Sequence, residues 1–155
     1  MIIEITNQQK LKTLNLKKIR VFLNRVFDLL SSDKKIPKNQ RVTGSTKASF
    51  LFCDNDFIVN LNKRFFKKSS ATDVIAFPLG DELDPDYLGE VVVSVQEAAK
   101  AAREFGWSWQ KEVSLYMVHG ILHLIGYTDT TKSARAIMEQ KQREIMDKIK
   151  AYNIV

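Results

Sequence analysis

The chain has 155 residues, 45% of them hydrophobic and 27% charged, with a formal charge of +6. That size and balance fit one globular domain, assigned to residues 1–155, and exclude a disordered or fibrous chain. A single cysteine, Cys53, excludes an internal disulfide framework, and no apolar run reaches the length of a membrane span.

Met1-Ile2-Ile3-Glu4-Ile5 alternates and predicts a strand at about 2–6. It lacks the basic stretch and long apolar core of a secretory signal, so a cytoplasmic location is expected. Leu16, Ile19, Phe22, Leu23, Val26, Phe27 and Leu30 fall at helical spacing and predict a helix over about 15–31, stopped before Pro37. Residues 46–53 read as a second strand ending in a buried, inert Cys53. Asp54 is a candidate cap for a helix at about 55–65. Val74-Ile75-Ala76-Phe77 is a short strand stopped by Pro78, and the acidic, proline-containing segment 81–86 is a loop.

The β-branched run at 91–95 predicts another strand, followed by a helix from Gln96 to Phe105 that Gly106 ends. Ser108 is placed to cap the next helix, whose residues from Val113 to Ile125 are apolar on almost every side. Such a helix is buried rather than amphipathic, and Gly126 is the residue to end it. A last helix at about 131–150 carries Ile137, Met138, Ile145, Met146 and Ile149. Interspersed strands and helices predict a mixed α+β (α/β) domain with one central mixed sheet flanked by helices.

The two histidines of the chain, His119 and His123, both lie in the buried helix. Four residues apart, they project from one face, the geometry by which a helix offers two nitrogen ligands to one metal. The alternative is a pair of core histidines satisfied by backbone carbonyls. The residues that follow favour the metal. His119-Gly-Ile-Leu-His123-Leu-Ile-Gly126-Tyr-Thr-Asp129 has the spacing H-x-x-x-H-x-x-G-x-x-D, the metzincin ligand spacing with an acid in third place. A continuing helix would carry position 129 to another face, whereas a glycine with positive φ lets the chain turn back. His119, His123 and Asp129 are therefore the candidate metal ligands and catalytic residues on a zincin-like helix, with a fourth position open. Metallopeptidases of the H-E-x-x-H type use a glutamate beside the first histidine as general base. Gly120 stands there, which counts against peptide hydrolysis.

The stretch from His119 to Tyr127 resembles the signature of the YbeY endoribonucleases, H-G-x-L-H-L-x-G-Y-D-H. Leu61-Asn62 followed by Thr72-Asp73-Val74-Ile75-Ala76-Phe77-Pro78 is similar to the family's L-N … P-T-D-V-L-S-F-P. Leu88-Gly89-Glu90-Val91 is similar to its L-G-D-I, and Gly106, Ser108 and Glu112 to its approach to the histidine helix. The resemblance spans about Leu61 to Gln140. It implies a zinc site in a cleft and metal-dependent cleavage of single-stranded RNA. The implied setting is 3′-end maturation of small-subunit ribosomal RNA and ribosome quality control. Ribosomal RNA and the small ribosomal subunit are the implied partners, with no membrane involved.

The chain departs from that pattern at several places. The family's third ligand is histidine where this chain has Asp129, and Thr128 replaces an aspartate. A carboxylate adds negative charge, so one Zn2+ is expected but a harder divalent ion becomes competitive. Phe66 stands at the family's arginine position, Ala71 at a proline and Ala76 at a serine. Arg64, Lys67 and Lys68 are the candidates for gripping RNA phosphates, against the alternative of a solvated turn. The basic residues crowded into 10–47 carry the same two readings. Phe65, Phe66, Trp107 and Trp109 offer base stacking, but core packing is the default for them. Two rivals to the nuclease remain: a catalytically weakened RNA-binding or ribosome-assembly factor, and a metallopeptidase.

Overall fold

The computed structural model describes residues 1–70 and 72–150, so Ala71 lies outside the described residues. One four-stranded sheet runs through it, built from β1 (Ile2–Asn7), β2 (Lys47–Cys53), β3 (Val74–Pro78) and β4 (Tyr87–Ser94). The spatial order is β1-β2-β4-β3. β1, β2 and β4 are parallel, and β3 pairs antiparallel on β4 as an edge strand. The expected mixed sheet is therefore present, and five α-helices flank it: α1 (Leu16–Ser32), α2 (Asn55–Phe66), α3 (Val95–Phe105), α4 (Trp109–Leu124) and α5 (Lys132–Ile149).

Strand alternation divides the interior in two. Phe50 and Phe52 of β2, with Val91 and Val93 of β4, face the larger core, where α1, α4 and α5 pack. Leu51, Cys53, Ile75 and Val92 face the other way, against Ile58 of α2. Ile19, Phe22, Leu23, Val26, Phe27 and Leu30 are the buried stripe of α1, as their spacing predicted. Each contributes about 1.5–3 kcal/mol relative to exposure. Cys53 is fully buried, and desolvation pushes its thiol up to about 12, which keeps it protonated and unreactive.

The two helix caps expected from sequence are present. Asp54 accepts from Phe57 N, and Ser108 accepts from Lys111 N. The structure differs at β4, which begins at Tyr87 rather than at 91 and ends at Ser94, the cap of α3. Tyr87-Leu88-Gly89 has no β-branched residue to signal a strand. It is drawn into the sheet by pairing: Lys47 lies opposite Tyr87 and Ala48 opposite Gly89, with a register shift between them. Among the described residues, no helix is long and apolar enough to cross a membrane.

Candidate metal centre and its cleft

α4 builds the site. Its Val113, Met117, Val118, Ile121 and Leu122 are fully buried, while His119 and His123 keep about a quarter of their side-chain surface exposed (26% and 29%). The helix face that carries Gly120 lies hard on the sheet. A Cβ at position 120 would come within 2.4 Å of Val91 Cγ1 and 3.3 Å of Val74 Cγ2. The position that holds a catalytic glutamate in H-E-x-x-H enzymes therefore faces β-sheet core here.

The end of α4 is set by two hydrogen bonds. Gly126 N donates to His123 O (3.0 Å) and Tyr127 N donates to Leu122 O (2.9 Å), the pattern of a Schellman motif. Gly126 takes the positive φ of 100° that this ending needs. The chain then doubles back, and Thr131 caps α5 by accepting from Ala134 N, so the intervening loop is held at both ends. Arg135 also donates to Asp129 O across it.

This reversal brings the three sequence-predicted residues together. His119 Nε2 and His123 Nε2 are 3.1 Å apart, and each lies 3.5 Å from Asp129 Oδ2. A tetrahedral ion with bonds of about 2.0–2.1 Å separates neighbouring donors by about 3.3 Å, so the triangle has the size to hold one. The other ring nitrogens support the same orientation. His123 Nδ1 faces Tyr127 O at 3.1 Å, and a carbonyl only accepts, so the proton sits on Nδ1 and Nε2 presents a lone pair. His119 Nδ1 faces Gln142 Oε1 of α5 at 3.2 Å, which holds it the same way. Burial, reinforced by the neighbouring His123, keeps the His119 imidazole below its ordinary pKa, favouring the neutral form that binds metal.

A cleft of about 470 Å³ opens beside the triangle. His123 and Asp129 line one part of it, Val74, Ala76 and Pro78 of the edge strand another, and Asn62, Phe66 and Lys68 the far side. Of the three cations assigned to RNA from sequence, Lys68 reaches the cleft. Arg64 lies over the Phe65 ring, 5.6 Å from its centroid, and Lys67 is the left-handed cap of α2; neither lines the cleft. Core packing holds for Trp109, which packs partly buried against the larger core, and fails for Phe65, Phe66 and Trp107, which are 56%, 48% and 39% exposed.

Two supporting residues escaped the sequence reading. Gln142 is one polar residue among many on a mostly solvated helix, and nothing in its spacing marks it. Asn62 is half of an L-N pair to which the sequence assigns no role. Its backbone carbonyl receives Lys68 N (3.3 Å), and its side chain donates to Ser70 O (2.9 Å). It thereby fixes the turn that presents Lys68. The available signal was an asparagine four residues after Ile58, on the same helical face as that apolar residue.

The family model for endoribonuclease YbeY matches residues 4–150. The chain belongs to the YbeY endoribonuclease family. The endoribonuclease YbeY of Acholeplasma laidlawii is 35% identical over 142 residues, covering 92% of each chain. That of Carboxydothermus hydrogenoformans is 40% identical over 98 residues, 63% of this chain and 68% of its own. A Thermotoga maritima protein solved in solution shares the fold, with a TM-score of 0.61 at 24% identity over 98% of this chain and 94% of that one. Within this YbeY frame, Thr128 and Asp129 close a signature that is otherwise intact from His119 to Tyr127.

Proposed function

We propose that the protein is a metal-dependent endoribonuclease that cleaves single-stranded RNA at one divalent ion held by His119, His123 and Asp129. Zinc suits the two imidazoles, and the carboxylate leaves room for a harder ion. The carrying observation is the triangle of donor atoms, 3.1, 3.5 and 3.5 Å on its sides, opening into a cleft that also holds Lys68. Membership in an endoribonuclease family supports RNA as the substrate class.

Such an ion, when bound, would polarise a phosphoryl oxygen or acidify a water. The chain's own contribution is positional. Tyr127 O and Gln142 hold the two imidazoles with Nε2 facing Asp129. Asn62 fixes the turn of Lys68, whose ammonium neutralises a backbone phosphate. The apolar wall of Val74, Ile75 and Ala76 limits water on one side of the cleft. We place this activity in 3′-end maturation of small-subunit ribosomal RNA and ribosome quality control, acting in the cytoplasm on the small subunit. Family membership and the basic surplus of six charges support that placement.

A second reading is favoured by one observation: Phe66, at the family's arginine position, lines the cleft where a cation would grip phosphate. On that reading the protein binds RNA as an assembly factor with weakened catalysis. Incubating it with an unstructured oligoribonucleotide and with a peptide library, each with added divalent ions or chelator, separates the readings. Chelator-sensitive RNA cleavage, lost in His119→Ala and Asp129→Ala, is the expected outcome. RNA binding without cleavage under any divalent ion selects the assembly factor, and peptide cleavage restores the metallopeptidase. Metal content of the same variants checks the ligand set: Asp129→Ala retaining a full equivalent removes Asp129 from it.

A further inference from the structure

α2 ends in two consecutive phenylalanines that both stay exposed and both touch a third. The Phe65 ring meets Phe77 of β3 edge-on, with centroids 5.2 Å apart, and the Phe66 ring stacks on Phe77 at 6.1 Å and 26°. Phe77 packs against the smaller core of Leu51, Ile58 and Ile75, so the sheet backs the pair. Rings held this way are rigid, present an open face and lose little freedom when a flat partner covers them.

Phe66 lines the same cleft as His123 and Asp129, and Lys68, two residues on, lines it too. Arg64 adds a guanidinium over the Phe65 ring. An aromatic face flanked by cations complements a ligand that alternates flat rings with anionic groups, which is a single-stranded polynucleotide.

Resting on the nuclease reading above, we propose that Phe66 is a stacking platform for one unpaired base of the substrate next to the scissile phosphate. Phe77 and Phe65 buttress its ring, and Lys68 takes the adjoining phosphate. The platform accepts any base, because every base has a π-face, and it rejects paired RNA, whose bases are already stacked on their neighbours. It sets which nucleotide is held beside the metal ligands, and it makes RNA affinity depend on an aromatic ring rather than on charge alone.

The test uses the full chain in zinc, with a 2′-O-methyl oligoribonucleotide that carries 2-aminopurine and resists attack by the 2′-hydroxyl. Intact oligonucleotide is verified after each titration, and a chelator arm repeats the measurement without hydrolysis of any kind. Wild-type protein should quench the 2-aminopurine on binding. Phe66→Ala should lose most of that quench and bind about tenfold more weakly, the loss expected for one base stacked on one ring. Phe66→Trp should restore both, and Phe66→Leu, apolar but not aromatic, should restore neither. Because Phe66 is about half exposed, these variants should keep the wild-type melting curve. A Phe66→Ala protein that quenches and binds like wild type overturns the platform, as does a Phe66→Leu protein that does so. If the patch is instead a contact for a second copy of the chain, Phe66→Ala changes the sedimentation coefficient and leaves RNA binding intact, which also overturns it. Wild-type protein that binds no RNA at all refutes the underlying nuclease reading, a result distinct from selective loss in Phe66→Ala.

Discussion

Replacing Gly126 by alanine tests the device on which the candidate metal centre depends. The residue sits at φ 100°, beyond the usual left-handed basin near 57°, so a Cβ is penalised at least as much as there. The left-handed conformation costs an L-residue about 1–2 kcal/mol. A Cβ would also approach Gln40 Nε2 to 3.0 Å, but that amide is the end of a flexible side chain and can move. Alanine restricts the unfolded chain and recovers up to about 1 kcal/mol. The net expectation is a loss of about 1 kcal/mol in metal-free protein, because φ 100° places the backbone cost toward the upper end of its range and above that offset. The larger effect falls on the ion. The hydrogen bonds from Gly126 N and Tyr127 N reverse the chain, and Tyr127 O orients His123, so a shifted turn moves two ligands at once. Zinc affinity should fall at least about tenfold, the lower end of what misplaced support around ligands costs. Urea unfolding of metal-free protein, followed by competitive zinc titration, reads the two effects separately. Asparagine tolerates positive φ better than alanine, so Gly126→Asn should lie between alanine and wild type in both. A Gly126→Ala protein with wild-type stability and wild-type zinc affinity would refute the claim that this turn assembles the centre.

Gln142→Leu removes the acceptor 3.2 Å from His119 Nδ1 and should weaken zinc binding about 10- to 100-fold, by the same titration, without unfolding the protein. Gly120→Ala drives a methyl to 2.4 Å from Val91 Cγ1 and should cost about 1–3 kcal/mol in urea unfolding through overpacking. Gly120→Glu should fail to fold rather than gain peptidase activity. In metal-free protein the depressed His119 pKa means the unfolded chain binds more protons than the folded one just below the ordinary value of 6.5. Stability should therefore be full above pH 6.5 and decline as pH falls below it, a slope that His119→Gln removes in urea titrations at successive pH values.

Much of this was legible in the sequence because local rules and tertiary packing agree. The six-residue stripe of α1, the Asp54 and Ser108 caps and the all-round apolar α4 each have one stable solution. The centre was legible for the same reason: two histidines on one helical face and a glycine at the helix end fix where residue 129 can go. What escaped depends on elements far apart in the chain. Gln142 meets His119 across 23 residues, through the packing of α5 on α4, and no local period encodes that meeting. The first half of β4 has no β-branched residue and is made a strand by pairing with β2. Phe65 and Phe66 break the expectation of core packing. Among the described residues of α2, Ile58 and Asn62 are the buried ones, and Phe65 and Phe66 lie beyond them in its last turn.

The fold also narrows the chemistry. A peptidase on this ligand spacing needs a general base beside the first histidine, and here that position is occupied by contact with Val91 and Val74. Among the described residues lining the cleft, the one carboxylate is Asp129, which is also the candidate third metal ligand. A cleft whose one lining carboxylate would be drawn to an ion is poorly equipped to activate water against an amide. RNA lessens that requirement, since each scissile phosphodiester carries a 2′-hydroxyl within reach of its own phosphorus, an intramolecular nucleophile at high effective concentration. On the nuclease reading proposed above, charge neutralisation by an ion and by Lys68 would supply what the reaction lacks. The missing glutamate and the aromatic rim thus point the same way: toward a substrate that brings flat rings, negative charge and its own attacking oxygen.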